Sequence, residues 1–121
     1  MENKTYKTLT VWQRAIELTV EIYKVTEKLP KTEQYGLISQ MHRAAVSIPS
    51  NIAEGYGRKS RNEFHHFLKI SFGSCTELET QIEIVKRLDL IKGFDFSRAN
   101  GLLSEVMQML NYIIYKPRKA T

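Results

Sequence analysis

Apolar residues recur along most of this chain at steps of three and four, the spacing that gathers them on one side of an α-helix. Val11, Ala15, Leu18, Ile22, Val25 and Leu29 form one such stripe. Trp12, Ile16 and Tyr23 lie a quarter turn from it, and the joint face is roughly 200° wide, about twice what a core-facing helix needs. The surplus predicts a second contact surface, against another copy of the chain. Thr8 or Thr10 is placed to cap this helix, expected over 9–29 and ending before Pro30. A second helix is expected over 33–57, with Thr32 as its cap. It carries Leu37, Met41, Ala44, Ala45, Ile48 and Ile52 on one side and Arg43, Ser47, Ser50, Asn51 and Glu54 on the other. Pro49 sits inside that pattern. It has no N–H for the carbonyl of Ala45 and pushes Ile48 away from helical angles. A kink is predicted there, with Ser47 or Ser50 satisfying the freed groups. Gly55 and Gly57 read as a stop.

Ser60 and Glu63 have the spacing of a capping box and open a third helix, expected over 61–89. Its stripe is Phe64, Phe67, Leu68, Ser71, Cys75, Leu78, Ile82 and Val85, small in the middle, where a neighbour can approach closely. Asp95 or Ser97 caps a fourth helix, expected over 96–116 and closed by Pro117. Its stripe of Ala99, Leu102, Leu103, Val106, Leu110 and Ile113 is widened by Met109 and Tyr112. Those two, with Trp12, Ile16 and Tyr23, are the expected oligomer interface. Four amphipathic helices with short connections predict an all-α, single-domain, antiparallel up-down-up-down four-helix bundle.

A length of 121 residues suits one domain. The net charge of +5 permits an acidic partner without requiring one. One cysteine, Cys75, rules out an internal disulfide or a multi-cysteine metal site. No apolar run has the length of a membrane span, and Met1–Thr10 lacks an apolar signal-peptide core. A cytoplasmic protein with no membrane partner is therefore expected.

Antiparallel packing sorts the charge. One end gathers Lys4, Lys7, Arg58, Lys59, Arg61, Lys116, Arg118 and Lys119 against Glu2, Glu54 and Glu63; the other is close to neutral. Lys116, Arg118 and Lys119 complement a helix C-terminus. Arg58, Lys59 and Arg61 crowd a helix N-terminus, where positive charge is disfavoured unless an anion binds. These six are the candidate phosphate contacts. The short polar residues of helix two, Ser47, Ser50 and Asn51 between Arg43 and Glu54, read as a buried polar seam, with Arg43 paired to Glu77 or Glu79.

Catalytic patterns are missing. His65 and His66 are adjacent and point about 100° apart, so a regular helix cannot bring them to one metal. No phosphate loop, dinucleotide fingerprint or nucleophile elbow occurs. Cys75 lies on an apolar stripe and reads as an inert core thiol. No cofactor and no enzyme activity is expected.

Several runs resemble a known family: Val11-Trp12-Gln13-Arg14-Ala15, Tyr35-Gly36-Leu37, Arg43-Ala44-Ala45-x-Ser47-Ile48-Pro49-Ser50-Asn51-Ile52-Ala53-Glu54-Gly55, Glu63-Phe64-x-x-Phe67-Leu68 and Gly73-Ser74-x-x-Glu77-Leu78-Glu79-Thr80. They resemble the bacterial four-helix-bundle proteins encoded in intervening sequences of 23S ribosomal RNA genes, and are similar to the accessory variability determinant of diversity-generating retroelements. The likeness spans about Leu9 to Ile91; His42 stands where the family often has a second arginine. The resemblance implies a kinked bundle, a ring-shaped homopentamer and no enzyme, with nucleic acid as a partner. A non-catalytic, homo-oligomeric bundle that binds RNA or DNA is the expectation. The alternatives are an oligomeric protein-interaction scaffold and, third, an RNA-processing enzyme using His65 or His66.

Overall fold

The computed structural model describes residues 5–116. A short 3-10 turn, Tyr6–Thr8, leads into α1 (Thr10–Thr26). Then come α2 (Ser39–Tyr56), α3 (Arg61–Arg87) and α4 (Ser97–Tyr115), with no strand among the described residues. Each helix packs on its sequence neighbours, and α4 closes on α1. Polar pairs fix the direction. Arg14 meets Glu105 at 3.1 Å and Glu21 meets Arg98 at 3.4 Å, so α4 runs down as α1 runs up. Ser71 on Ile48 and Ser74 on Ser47 set α3 against α2 in the same sense. The up-down-up-down bundle is thus what the chain forms, around Leu18, Ile22, Met41, Ile48, Ile52, Leu68, Leu78 and Leu110.

Local signals explain most boundaries. Ser60 Oγ accepts from the N–H of Glu63 at 3.1 Å, as its spacing predicts. Asp95 Oδ1 accepts from the N–H of Ser97 at 2.9 Å, and this bond holds its carboxyl below the usual range. At the end of α3, Asp89 turns left-handed (φ 52°). The N–H groups of Asp89 and Leu90 return to the carbonyls of Lys86 and Val85, closing a Schellman motif.

Two expectations need correction: the cap of helix two, and Ser47 or Ser50 as the group that meets the carbonyl freed by Pro49. Thr32 does not cap helix two. The chain from Lys31 forms a 3-10 turn (Lys31–Glu33) and a π-helical turn (Gln34–Ile38) before α2 begins. The backbone leaves helical angles at Gly36 (φ −112°, ψ −107°), and α2 continues as α-helix through Pro49. The carbonyl that Pro49 leaves free is met from another helix. Thr19 Oγ1 of α1 lies 3.0 Å from the Ala45 carbonyl and 2.8 Å from that of Ala15, sharing one proton between them.

Around Pro49 the polar seam is narrower than the sequence indicates. Ser47 and Asn51 belong to it. Asn51 Nδ2 donates to the Ser47 carbonyl and hydroxyl at 2.8 and 2.9 Å. Ser74 donates to the Ser47 hydroxyl at 2.9 Å, and Ser71 donates to the Ile48 carbonyl at 2.9 Å. The rest of the expected seam faces outward: Arg43, Ser50, Glu54, Glu77 and Glu79 are exposed. No ion pair joins Arg43 to either glutamate among the described residues; exposed, all three keep their hydration, which an unpaired charge loses on burial.

Candidate functional site

The turn from α2 to α3 carries two cations, Lys59 and Arg61, that have no ion pair among the described residues. Gly55 is buried where the two helices cross. A Cβ there would stand 2.7 Å from Phe67 Cβ and 3.2 Å from the Phe64 carbonyl oxygen. Glycine at this point lets α3 close down on α2 and sets the geometry of the hairpin tip. The tip lies along α3 beyond its contact with the end of α4. Tyr115, the last residue of α4, has Lys69 Nζ 6.0 Å from its ring centre. From Lys69, α3 extends back another eight residues to Arg61, about 12 Å of helix.

Arg58 differs in role from its neighbours. It follows the end of α2, where the dipole favours a cation. Its guanidinium bonds Glu54 at 2.5 Å and lies over the Phe67 ring, 4.9 Å from its centre. Arg58 therefore belongs to the helix it follows rather than to the N-terminus it precedes. Lys59 and Arg61 are exposed and have no ion pair among the described residues. They flank Ser60 at the start of α3, where backbone N–H groups point outward. Lys116 is exposed at the end of α4. Antiparallel packing puts it at the same end of the bundle as Lys59. Arg118 and Lys119 lie outside the described residues.

The expected oligomer residues fall into three places. Trp12 and Ile16 line a cleft of about 350 Å³ with Tyr6, Val46 and Pro49, between α1 and α2. Met109 and Tyr112 line a second, almost wholly apolar cleft of about 440 Å³ with Leu9, Val11 and Ile113, between α1 and α4. Tyr112 is 67 % exposed. Tyr23 belongs to neither. It stacks on His42, ring centres 3.8 Å apart and planes within 10°. Periodicity places these residues on the flanks of α1 and α4, but it does not show which flank neighbours which helix.

His42 is fixed by that stack and by Thr26, whose Oγ1 lies 2.8 Å from Nε2. Thr26 Oγ1 also lies 3.0 Å from the Tyr23 carbonyl, so the hydroxyl bridges that carbonyl and the imidazole. Burial pushes the imidazole below its ordinary pKa. Cys75 is buried, and burial, with the charge of Glu79 second, pushes its thiol up to about 12. At neutral pH it is not a nucleophile. His65 and His66 each lie close to a phenylalanine ring, Phe64 and Phe67 respectively. Among the described residues no group of three or more His, Cys, Asp or Glu gathers for a metal, and no helix is long and apolar enough to cross a membrane.

Comparison with known proteins agrees with this architecture. A similar solved structure is a protein of unknown function from the S23 ribosomal protein family from Bacteroides thetaiotaomicron VPI-5482. It is 27 % identical, with a TM-score of 0.79, and the match covers 88 % of this chain and 100 % of that one. No curated protein matches. Residues 7–112, which hold all four helices but the last turn of α4, match the 23S rRNA-intervening sequence protein family, and the chain belongs to that family.

Proposed function

We propose that this protein is a non-catalytic, self-assembling bundle that binds nucleic acid by its phosphates. The observation that carries the reading is the pair Lys59 and Arg61, exposed and without ion pairs among the described residues, at the start of α3 on the tip of the α2–α3 hairpin. Cations placed against a helix dipole are unfavourable until an anion arrives, and the same N-terminus offers that anion its N–H groups. Arg58 assists from a fixed position over Phe67, and Lys116, Arg118 and Lys119 add charge at the same end. RNA stands ahead of DNA because the family takes its name from 23S rRNA. Self-association uses the Trp12–Ile16 cleft on one side of α1 and the Met109–Tyr112 cleft on the other. Two unlike surfaces on one protomer suit head-to-tail contacts that close into a ring, a pentamer by family resemblance. A ring brings several tips to one rim and multiplies a weak site.

The test is a salt titration of RNA binding by fluorescence anisotropy, wild type against Lys59→Glu/Arg61→Glu. Each phosphate contact contributes about 0.7–0.9 to the slope of log affinity against log salt, so losing two lowers the slope by roughly 1.4–1.8. An unchanged slope and affinity refutes the assignment. Light scattering checks assembly: Trp12→Ala or Tyr112→Ala should lower the mass. The apolar Met109–Tyr112 cleft favours one second reading, a scaffold for a protein partner. Absence of any gel shift at low salt, with assembly intact, selects it.

A further inference from the structure

The end of the bundle away from the cationic tip carries an aromatic arrangement that neither the core nor the assembly reading uses. Tyr35 stands on the π-helical turn before α2 and is 94 % exposed. It lines a cleft of about 480 Å³ together with Tyr23, Glu27, Gln34, Ser39 and His42. One wall is already flat: the Tyr23 and His42 rings are parallel, 3.8 Å apart. His42 Nδ1 makes no hydrogen bond among the described residues. Gln34 and Ser39 likewise bring side-chain donors and acceptors that make no hydrogen bond among the described residues. Arg43 follows His42 on α2, and Lys24 follows Tyr23 on α1; both are exposed and outside every ion pair among the described residues. Glu27 is the one charged residue lining the cleft, so the cleft itself suits an uncharged base, and Arg43 and Lys24 lie outside its lining.

We infer that this cleft is a second nucleic-acid contact, which stacks an unpaired base of a single strand against Tyr35 and the Tyr23–His42 pair. The inference rests on the nucleic-acid reading above and adds to it a preference for single strands. A planar ring, one exposed aromatic, a pre-formed aromatic wall and unpaired hydrogen-bonding groups are what an unstacked base requires. The cationic tip supplies phosphate contacts that every strand shares; the aromatic cleft responds only to bases. A protonated His42 would put positive charge beside the base, and burial keeps the ring neutral.

The experiment compares two labelled probes on the full-length protein: a single-stranded RNA of about 15 nucleotides, and an abasic ribose-phosphate oligomer of the same length. Wild type should bind the base-bearing probe about tenfold tighter, the effect of one stacked base. Tyr35→Ala, at a position too exposed to affect folding, should remove most of that preference and leave the abasic affinity unchanged, while Tyr35→Trp keeps it. Equal affinity of the wild type for both probes overturns the inference, and so does a preference that Tyr35→Ala leaves intact. Lys59→Glu/Arg61→Glu lowers affinity for both probes alike if the phosphate reading holds, so base-blind binding with that response refutes the stacking cleft alone. No affinity for either probe refutes both.

Discussion

Gly55→Ala should destabilise the protein although alanine is the better helix former. The added methyl would sit 2.7 Å from Phe67 Cβ, against the 3.4 Å at which ordinary contact begins, with the Phe64 carbonyl oxygen at 3.2 Å. The shortfall is thus about 0.7 Å, and two of the three opposing atoms are backbone or Cβ, which no rotamer change moves. Relief requires α3 to shift away from α2. Overpacking of this kind costs roughly 1–3 kcal/mol, and an immovable contact belongs at the upper end. Alanine returns up to about 1 kcal/mol through helix propensity, which leaves a net loss of about 2 kcal/mol. Gly73 and Gly101 are the controls. A Cβ at either meets nothing within 4 Å, so Gly73→Ala and Gly101→Ala should each gain roughly 0.5–1 kcal/mol. Urea unfolding followed by helical circular dichroism, at one fixed protein concentration because assembly couples to stability, reads all three. A Gly55→Ala midpoint at or above wild type would refute the close approach of α2 and α3.

Two further outcomes follow from the polar contacts. Thr19→Val should cost about 1–3 kcal/mol, because the Ala45 carbonyl then loses the partner that stands in for the missing Pro49 N–H. In a Pro49→Ala background the backbone donor returns and the cost should shrink; additive effects in this double-mutant cycle would sink the idea. His42 has a folded pKa below its ordinary 6.5, so as pH falls through 6.5 the unfolded chain takes up its proton first. Stability should therefore decline below that pH and level off once the folded imidazole also protonates, and a His42→Gln variant whose denaturation midpoints keep the same decline would contradict it.

What the sequence reveals, and what it hides, divides by the range of the interaction. Ser60 and Asp95 act on N–H groups two or three residues away, and their spacing alone marks where α3 and α4 begin. The apolar stripes rest on the 3.6-residue period and identify the bundle core. Gly55 looks like a stop because glycine commonly ends helices, yet it lies within α2 at a crossing with residues nine and twelve places further along. Arg58 looks like part of α3 until its bond to Glu54 ties it to α2. The partner of the Ala45 carbonyl comes from α1, where nothing in the spacing of Thr19 marks it. The base-stacking cleft is equally hidden, since Tyr35 reads as one more aromatic before an apolar run and the stack of Tyr23 on His42 depends on how α1 lies across α2.

The level at which Tyr115 meets Lys69 divides the molecule into a body and an arm. Past that level α2 and α3 run on as the arm, with Tyr6 and Trp12 still beside Ala53 and with Gly55 against Phe67. Whole helical turns inserted in step on both limbs, between the Gly55 crossing and the Gly57–Ser60 bend, would lift the cations further outward without re-sorting the interior. Sister sequences are thus free to vary in reach while sharing one trunk.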